Sequence, residues 1–228
     1  SELKLGSALG ITGTLVANSA SSWSGWQGTL DLSSGSLESS GGTINLNDFT
    51  TGANTTFKLS GDTEISSTSD ITFGTLELAG NKLTLSEDSA GLTLPNALTM
   101  TTAGSAIETK AANLTLSSAL QLDAGAISST GGTLAFAGGL TLGEAGTLDV
   151  TGSTLSVSQT LELNAGTFSS DNNSVLRLQS ATTLSSSNPV SFGSLNFEGQ
   201  VLTLGSATTQ LNLTDATTAL NLSGISLE

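Results

Sequence analysis

Pairs of leucine flanking a single polar residue punctuate the whole chain. Leu30-Asp31-Leu32, Leu76-Glu77-Leu78, Leu83-Thr84-Leu85, Leu92-Thr93-Leu94, Leu114-Thr115-Leu116, Leu120-Gln121-Leu122, Leu140-Thr141-Leu142 and Leu161-Glu162-Leu163 are clear instances. In an extended chain successive side chains point to opposite faces. Each unit therefore puts two leucines on one face and its polar residue on the other. The units recur about every 6–9 residues, separated by Gly, Ser, Asn or Asp, which leaves strands of about three to five residues.

Strands this short do not build a conventional sandwich. They suit a solenoid, in which each strand is one side of a coil and pairs with its equivalent one coil later. A coil of three strands takes about 21 residues. The runs starting at Ala97, Ala119, Gly139 and Thr160 each open with an x-Leu-x-apolar strand and carry two more strands at similar offsets. The pattern predicts an all-β fold, a parallel β-helix (β-solenoid) of about 21 residues per coil. Leu3, Leu5, Leu30, Leu32, Leu76, Leu78, Leu120, Leu122, Leu161 and Leu163 should point inward. The alternative is a tandem of Ig-like β-sandwiches of about 100 residues each, which needs longer alternating strands and wider turn spacing.

A second, longer period overlies the first. The run "TEISSTSDITFGTLELAGNKLTLSEDSAGLTLPN" from Thr63 matches "TTLSSSNPVSFGSLNFEGQVLTLGSATTQLNLTD" from Thr182. "TLDLSSGSL" from Thr29 matches "TLDVTGSTL" from Thr147, and "TINLNDF" from Thr43 matches "TLELNAGTF" from Thr160. The whole of residues 1–228 thus reads as a single continuous solenoid segment made of nearly two copies of one unit, 1–118 and 119–228. About seventeen strand-like units fill each copy, whereas a strict three-sided coil calls for a multiple of three. Either a further strand lies near Thr50–Thr55, or Pro189–Phe197 is one bent element.

Composition narrows the chemistry. The 228 residues include no His and no Cys, with 5 Lys+Arg against 19 Asp+Glu, for a net charge of −14. Without His or Cys there is no His-based triad, thiolate nucleophile or Cys/His zinc site. Lys4, Lys58, Lys82, Lys110 and Arg177 are far apart in sequence, so no basic patch for nucleic acid or anionic lipid is expected. No apolar run reaches the roughly 18 residues of a membrane-spanning helix, and no membrane insertion is expected. Glu87-Asp88 is the one adjacent acidic pair, in a turn whose counterpart is Gly205-Ser206. The expectation is no enzyme, no catalytic residue, no cofactor and no dedicated metal site. Trp23 and Trp26, in "ASSWSGWQG", are the one local oddity, since the second copy has no Trp. An exposed indole pair can stack on a sugar ring, and an indole pair can equally tuck against the solenoid.

The Gly/Ser-punctuated units "SSGGTINLNDF", "ISSTGGTLAFAGGLTL" and "GTLDVTGSTLSVSQTLELNAG" resemble the repeats of large secreted bacterial β-helix proteins. Filamentous-haemagglutinin-like exoproteins and autotransporter passengers are the families in view. The resemblance is compositional, covers the whole chain and carries over no functional residue. It implies a right-handed β-helix in an extracellular adhesin or surface filament at a bacterial cell surface. The implied partners are flanking repeats of the same long protein, with host or surface glycans or proteins met through other regions. The expected function is that of a structural extender. The alternative is a carbohydrate-binding module using Trp23 and Trp26. An ice-binding solenoid and a polysaccharide-degrading β-helix enzyme are remoter readings, because outward Thr residues are mixed with other polar types and the carboxylates are scattered.

Overall fold

The computed structural model describes residues 9–10, 14–17, 30–32, 35–47, 49–87, 89–206 and 210–214. Among them there is no helix, and every strand pairing is parallel. Parallel pairing overturns the tandem-sandwich alternative, whose sheets are antiparallel. The physical reason is the turn spacing. Most strands have two to four residues and are joined by tight corners, so they meet their equivalents one coil later rather than reversing onto their neighbours in sequence. Leu120–Ser128, Leu140–Asp149, Thr154–Glu162 and Val175–Ser185 are longer than the pattern predicts, because each runs on through a corner and covers two sides of its coil. The chain is a β-solenoid of about eight turns with coils of about 21 residues.

Each coil has three sides. Side one stacks Ile71, Leu92, Leu114, Leu134, Leu155 and Leu176 in register. Side two follows it along the chain and stacks Leu98, Leu120, Leu140, Leu161 and Leu184. Side three stacks Thr63, Leu83, Ile107, Ile127, Leu148 and Phe168. Earlier coils continue the order. Leu30–Asp31 and Phe49–Thr50 pair as first strands, and Leu37, Phe57 and Leu76 pair as second strands.

The stacked apolar positions form one hydrophobic core running from Leu32 to Leu202. Leu32, Leu76, Leu78, Leu120, Leu122, Leu161 and Leu163 are all buried in it, as the alternation predicts. Leu3 and Leu5 lie outside the described residues, as does the side chain of Leu30. Full burial of a leucine stabilises by roughly 1.5–3 kcal/mol, so each added coil brings several such contributions. Phe replaces Leu at a few inward positions: Phe136 lies between Leu116 and Val157 in its column. Phe57 and Phe73 contact each other with ring centroids 4.8 Å apart.

Corners are made by glycine and by hydroxyl side chains. Between sides two and three the dipeptide Ala-Gly recurs as Ala103-Gly104, Ala124-Gly125, Ala145-Gly146 and Ala165-Gly166. Gly125 has φ +88° and Gly166 has φ +69°, where a side chain would be strained. Elsewhere buried hydroxyls answer the backbone groups that a sharp bend leaves unpaired. Thr55 Oγ1 donates to Leu32 O at 2.6 Å and accepts from Gly52 N at 3.0 Å. Ser39 Oγ and Thr63 Oγ1 share a hydrogen bond of 2.7 Å inside the coil.

The mismatch between seventeen units and three sides resolves in favour of the count. Val190–Phe192 and Ser194–Asn196 are two strands that turn at Gly193, not one bent element. Near Thr50 the strand Phe49–Thr50 is followed directly by the turn to Thr56–Leu59, with no extra strand between them. Seventeen strand positions separate Leu30 from its counterpart Leu148. What fails is the expectation that the long unit must hold a whole number of coils.

Candidate functional surface

With the inward positions filled by the core, side chains available to a partner lie on the outward positions of each side. Stacking places them in rows about 4.8 Å apart. On side one the row runs Asp31, Thr50, then Thr72, Thr93 and Thr115. It is broken by Ala135 and Ser156, both buried although they point away from the core, and then by Arg177. On side two the row is Glu38, Lys58 and Glu77 in the early coils, and Thr99, Gln121, Thr141 and Glu162 later. On side three it is Glu64, Thr84, Glu108, Ser128, Asp149 and Ser169. Thr99 therefore neighbours Gln121 rather than another Thr, and no side carries Thr along its whole length.

The cations are far apart from one another, yet none of the four described ones stands alone. Lys58 Nζ lies 3.3 Å from Glu77, Lys82 Nζ 3.1 Å from Glu108, Lys110 Nζ 3.5 Å from Glu64 and Arg177 Nε 2.7 Å from Glu198. Each pair ties one coil to another. All are substantially exposed, so each contributes under about 1 kcal/mol. Their main effect is to use up the positive charge of the described residues, whose remaining surface is acidic or neutral.

One carboxylate is held unusually well. Asp171 Oδ1 accepts hydrogen bonds from Gly152 N at 2.9 Å, Asn173 N at 3.0 Å and Ser174 Oγ at 2.7 Å. The Gly152 N–H, followed by Ser174, holds the Asp171 carboxyl below the usual Asp range. Because Gly152 belongs to the preceding coil, this carboxylate is a corner clamp between coils, and its oxygens already face donors of the chain itself.

The tryptophans Trp23 and Trp26 lie outside the described residues, so the structure does not place them. Of the acidic pair, Glu87 is exposed on a turn, and Asp88 lies outside the described residues. Among the described residues no three His, Cys, Asp or Glu side chains converge as metal ligands. A shallow depression of about 310 Å³ lies on side two, lined by Leu120, Gln121, Gly139, Thr141 and Glu162. It holds one carboxylate, Glu162, whose Oε2 is 3.3 Å from Thr141 Oγ1. A smaller one of about 200 Å³ is lined by Phe168, Asn188, Pro189 and Val190.

Sequence reasoning missed the pairing of the cations. The signal was present, since an acidic residue stands roughly one or two coils from each of them. Chemically, these rows offer hydroxyls, amides and carboxylates in regular arrays. No family model matches the chain, and no curated protein or solved structure shows a significant match to it.

Proposed function

We propose that this chain is a structural extender segment of an exported bacterial adhesin or surface filament, with a mechanical role and no catalytic one. The observation that supports it most is the unbroken core from Leu32 to Leu202, to which each coil adds an equivalent layer. Such an object gains length and stability together, because each coil buries its apolar face against its neighbours. Its backbone hydrogen bonds run along the rod, so a pull on the two chain ends peels the terminal coils away one at a time while the coils between them stay stacked. Further coils of the same protein are the natural partners of its ends, and contacts with glycans or host proteins fall to other regions of that protein.

Single-molecule force spectroscopy tests the reading. Pulled from its two ends, the chain should release coil by coil, in steps of about 70 Å for about 21 residues. One abrupt rupture with no coil-sized steps would remove the mechanical basis of the proposal. Specific glycan binding by this chain, abolished in Trp23→Ala, would replace the extender with a carbohydrate-binding module.

A further inference from the structure

Corresponding residues of the two sequence copies do not lie on the same side of the coil. Leu30 is on side one and its counterpart Leu148 is on side three. Phe57 is on side two and Leu176 on side one, and Leu83 is on side three and Leu202 on side two. Each match steps back by one side, as seventeen strand positions on a three-sided coil require.

One corner is nonetheless built alike in both copies. Thr55 N donates to Gly52 O at 2.9 Å, and its counterpart Ser174 N donates to Asp171 O at 3.1 Å. Gly74 N donates to Thr55 O at 2.8 Å, and Gly193 N to Ser174 O at 2.9 Å. Thr55 Oγ1 reaches Leu32 O at 2.6 Å, and Ser174 Oγ lies 2.9 Å from Val150 O. The first corner joins side one to side two, and the second joins side three to side one. One corner has thus been built twice, in two orientations around the axis.

We infer that the long repeat is a screw-phased display unit, in which each copy presents its outer surface a third of a turn away from the copy before it. The small polar row Asp31, Thr50, Thr72, Thr93 looks out from side one. Its counterpart Asp149, Ser169, Ser191, Asn212 looks out from side three. A partner that recognises this repeated surface meets it in two directions on this segment. A flat partner, such as a crystal plane or an extended sheet, can lie against only one of the two copies. The inference concerns phase alone and stands whether or not the segment is an extender.

Spin-label distances test it cleanly, because the chain has no native Cys. Thr72 and Asn196 are both outward on side one, six coils apart, a backbone separation of about 29 Å. Thr72 and Ser191 correspond in sequence and are fewer strands apart, but they lie around a corner from each other. The pair Thr72→Cys/Asn196→Cys should give the shorter mean distance, by several ångströms. A shorter distance for Thr72→Cys/Ser191→Cys would put corresponding residues on one side and overturn the inference.

Discussion

Leu83→Asp should abolish cooperative folding or lower the melting temperature by on the order of 10 °C, whereas Thr84→Ala next to it should shift it by no more than a few degrees. The two residues are adjacent in the strand Lys82–Leu85 but point to opposite faces. Leu83 is fully buried, stacked between Thr63 and Ile107 inside the coil. A carboxylate there loses the apolar contribution of leucine and has no cation within the core to pair with. The combined cost is at least about 3 kcal/mol, even if the acid is driven to protonate. Because each coil templates the next, the damage should divide the rod rather than stay local. Thr84 points outward between Glu64 and Glu108 and is largely covered by the surrounding row, so its truncation removes only modest packing. Thermal melts followed by circular dichroism separate the two outcomes. Equal tolerance of both substitutions would mean that Leu83 does not face a core.

Gly193→Ala should destabilise by about 1–3 kcal/mol, and Gly74→Ala by a similar amount. At each of these corners the chain turns against the backbone of the coil before it. A Cβ on Gly193 would overlap the Asn172 carbonyl oxygen, and one on Gly74 would overlap the Ala53 carbonyl oxygen. Neither backbone can retreat without breaking hydrogen bonds, because Gly193 N and Ser194 N both donate to Ser174 O, and Gly74 N and Thr75 N both donate to Thr55 O. Gly131→Ala is the control. A Cβ there meets nothing closer than 3.9 Å, and its φ is not in the left-handed region. That substitution should be neutral or stabilise by about 0.4–1 kcal/mol through the unfolded chain. Chemical denaturation of the three variants gives the comparison. A Gly193→Ala midpoint equal to that of the parent would show that the corner is looser than its geometry implies.

Much of the architecture was legible in the leucine units. Their alternation set which face is buried, and their three-strand period set the coil, because a strand too short to make a hairpin must find its partner one coil away. Leu120, Leu140 and Leu161 illustrate this, each pairing with the next at that spacing. The Ala-Gly corner was equally open to reading, since Gly104, Gly125, Gly146 and Gly166 recur once per coil. Glycine is so abundant in this chain that the series does not stand out until the corner is known.

The phase of the long repeat was hidden by an assumption. Nothing in the energetics asks a repeat to close on a whole coil, because every side turns apolar positions inward and offers the same backbone ladder. Leu30 and Leu148 therefore occupy different sides, each on a strand paired in the same kind of parallel ladder. The outer surface was the least legible part. Lys58 pairs with Glu77, and Lys110 reaches past Thr84 to Glu64, through coil stacking rather than through sequence neighbourhood. No such stacking argument reaches Trp23 and Trp26, which no Leu-x-Leu unit frames.

Nuclear Overhauser contacts between backbone protons of neighbouring strands test the parallel coil most directly. In a perdeuterated, amide-protonated sample of this 22.7 kDa chain, cross-peaks should connect Thr93 to Thr115, and then Ala135 to Ser156 and Arg177, in a parallel pattern that steps by one coil each time. Cross-peaks showing these strands antiparallel to their neighbours in sequence would contradict the solenoid and the display drawn from it.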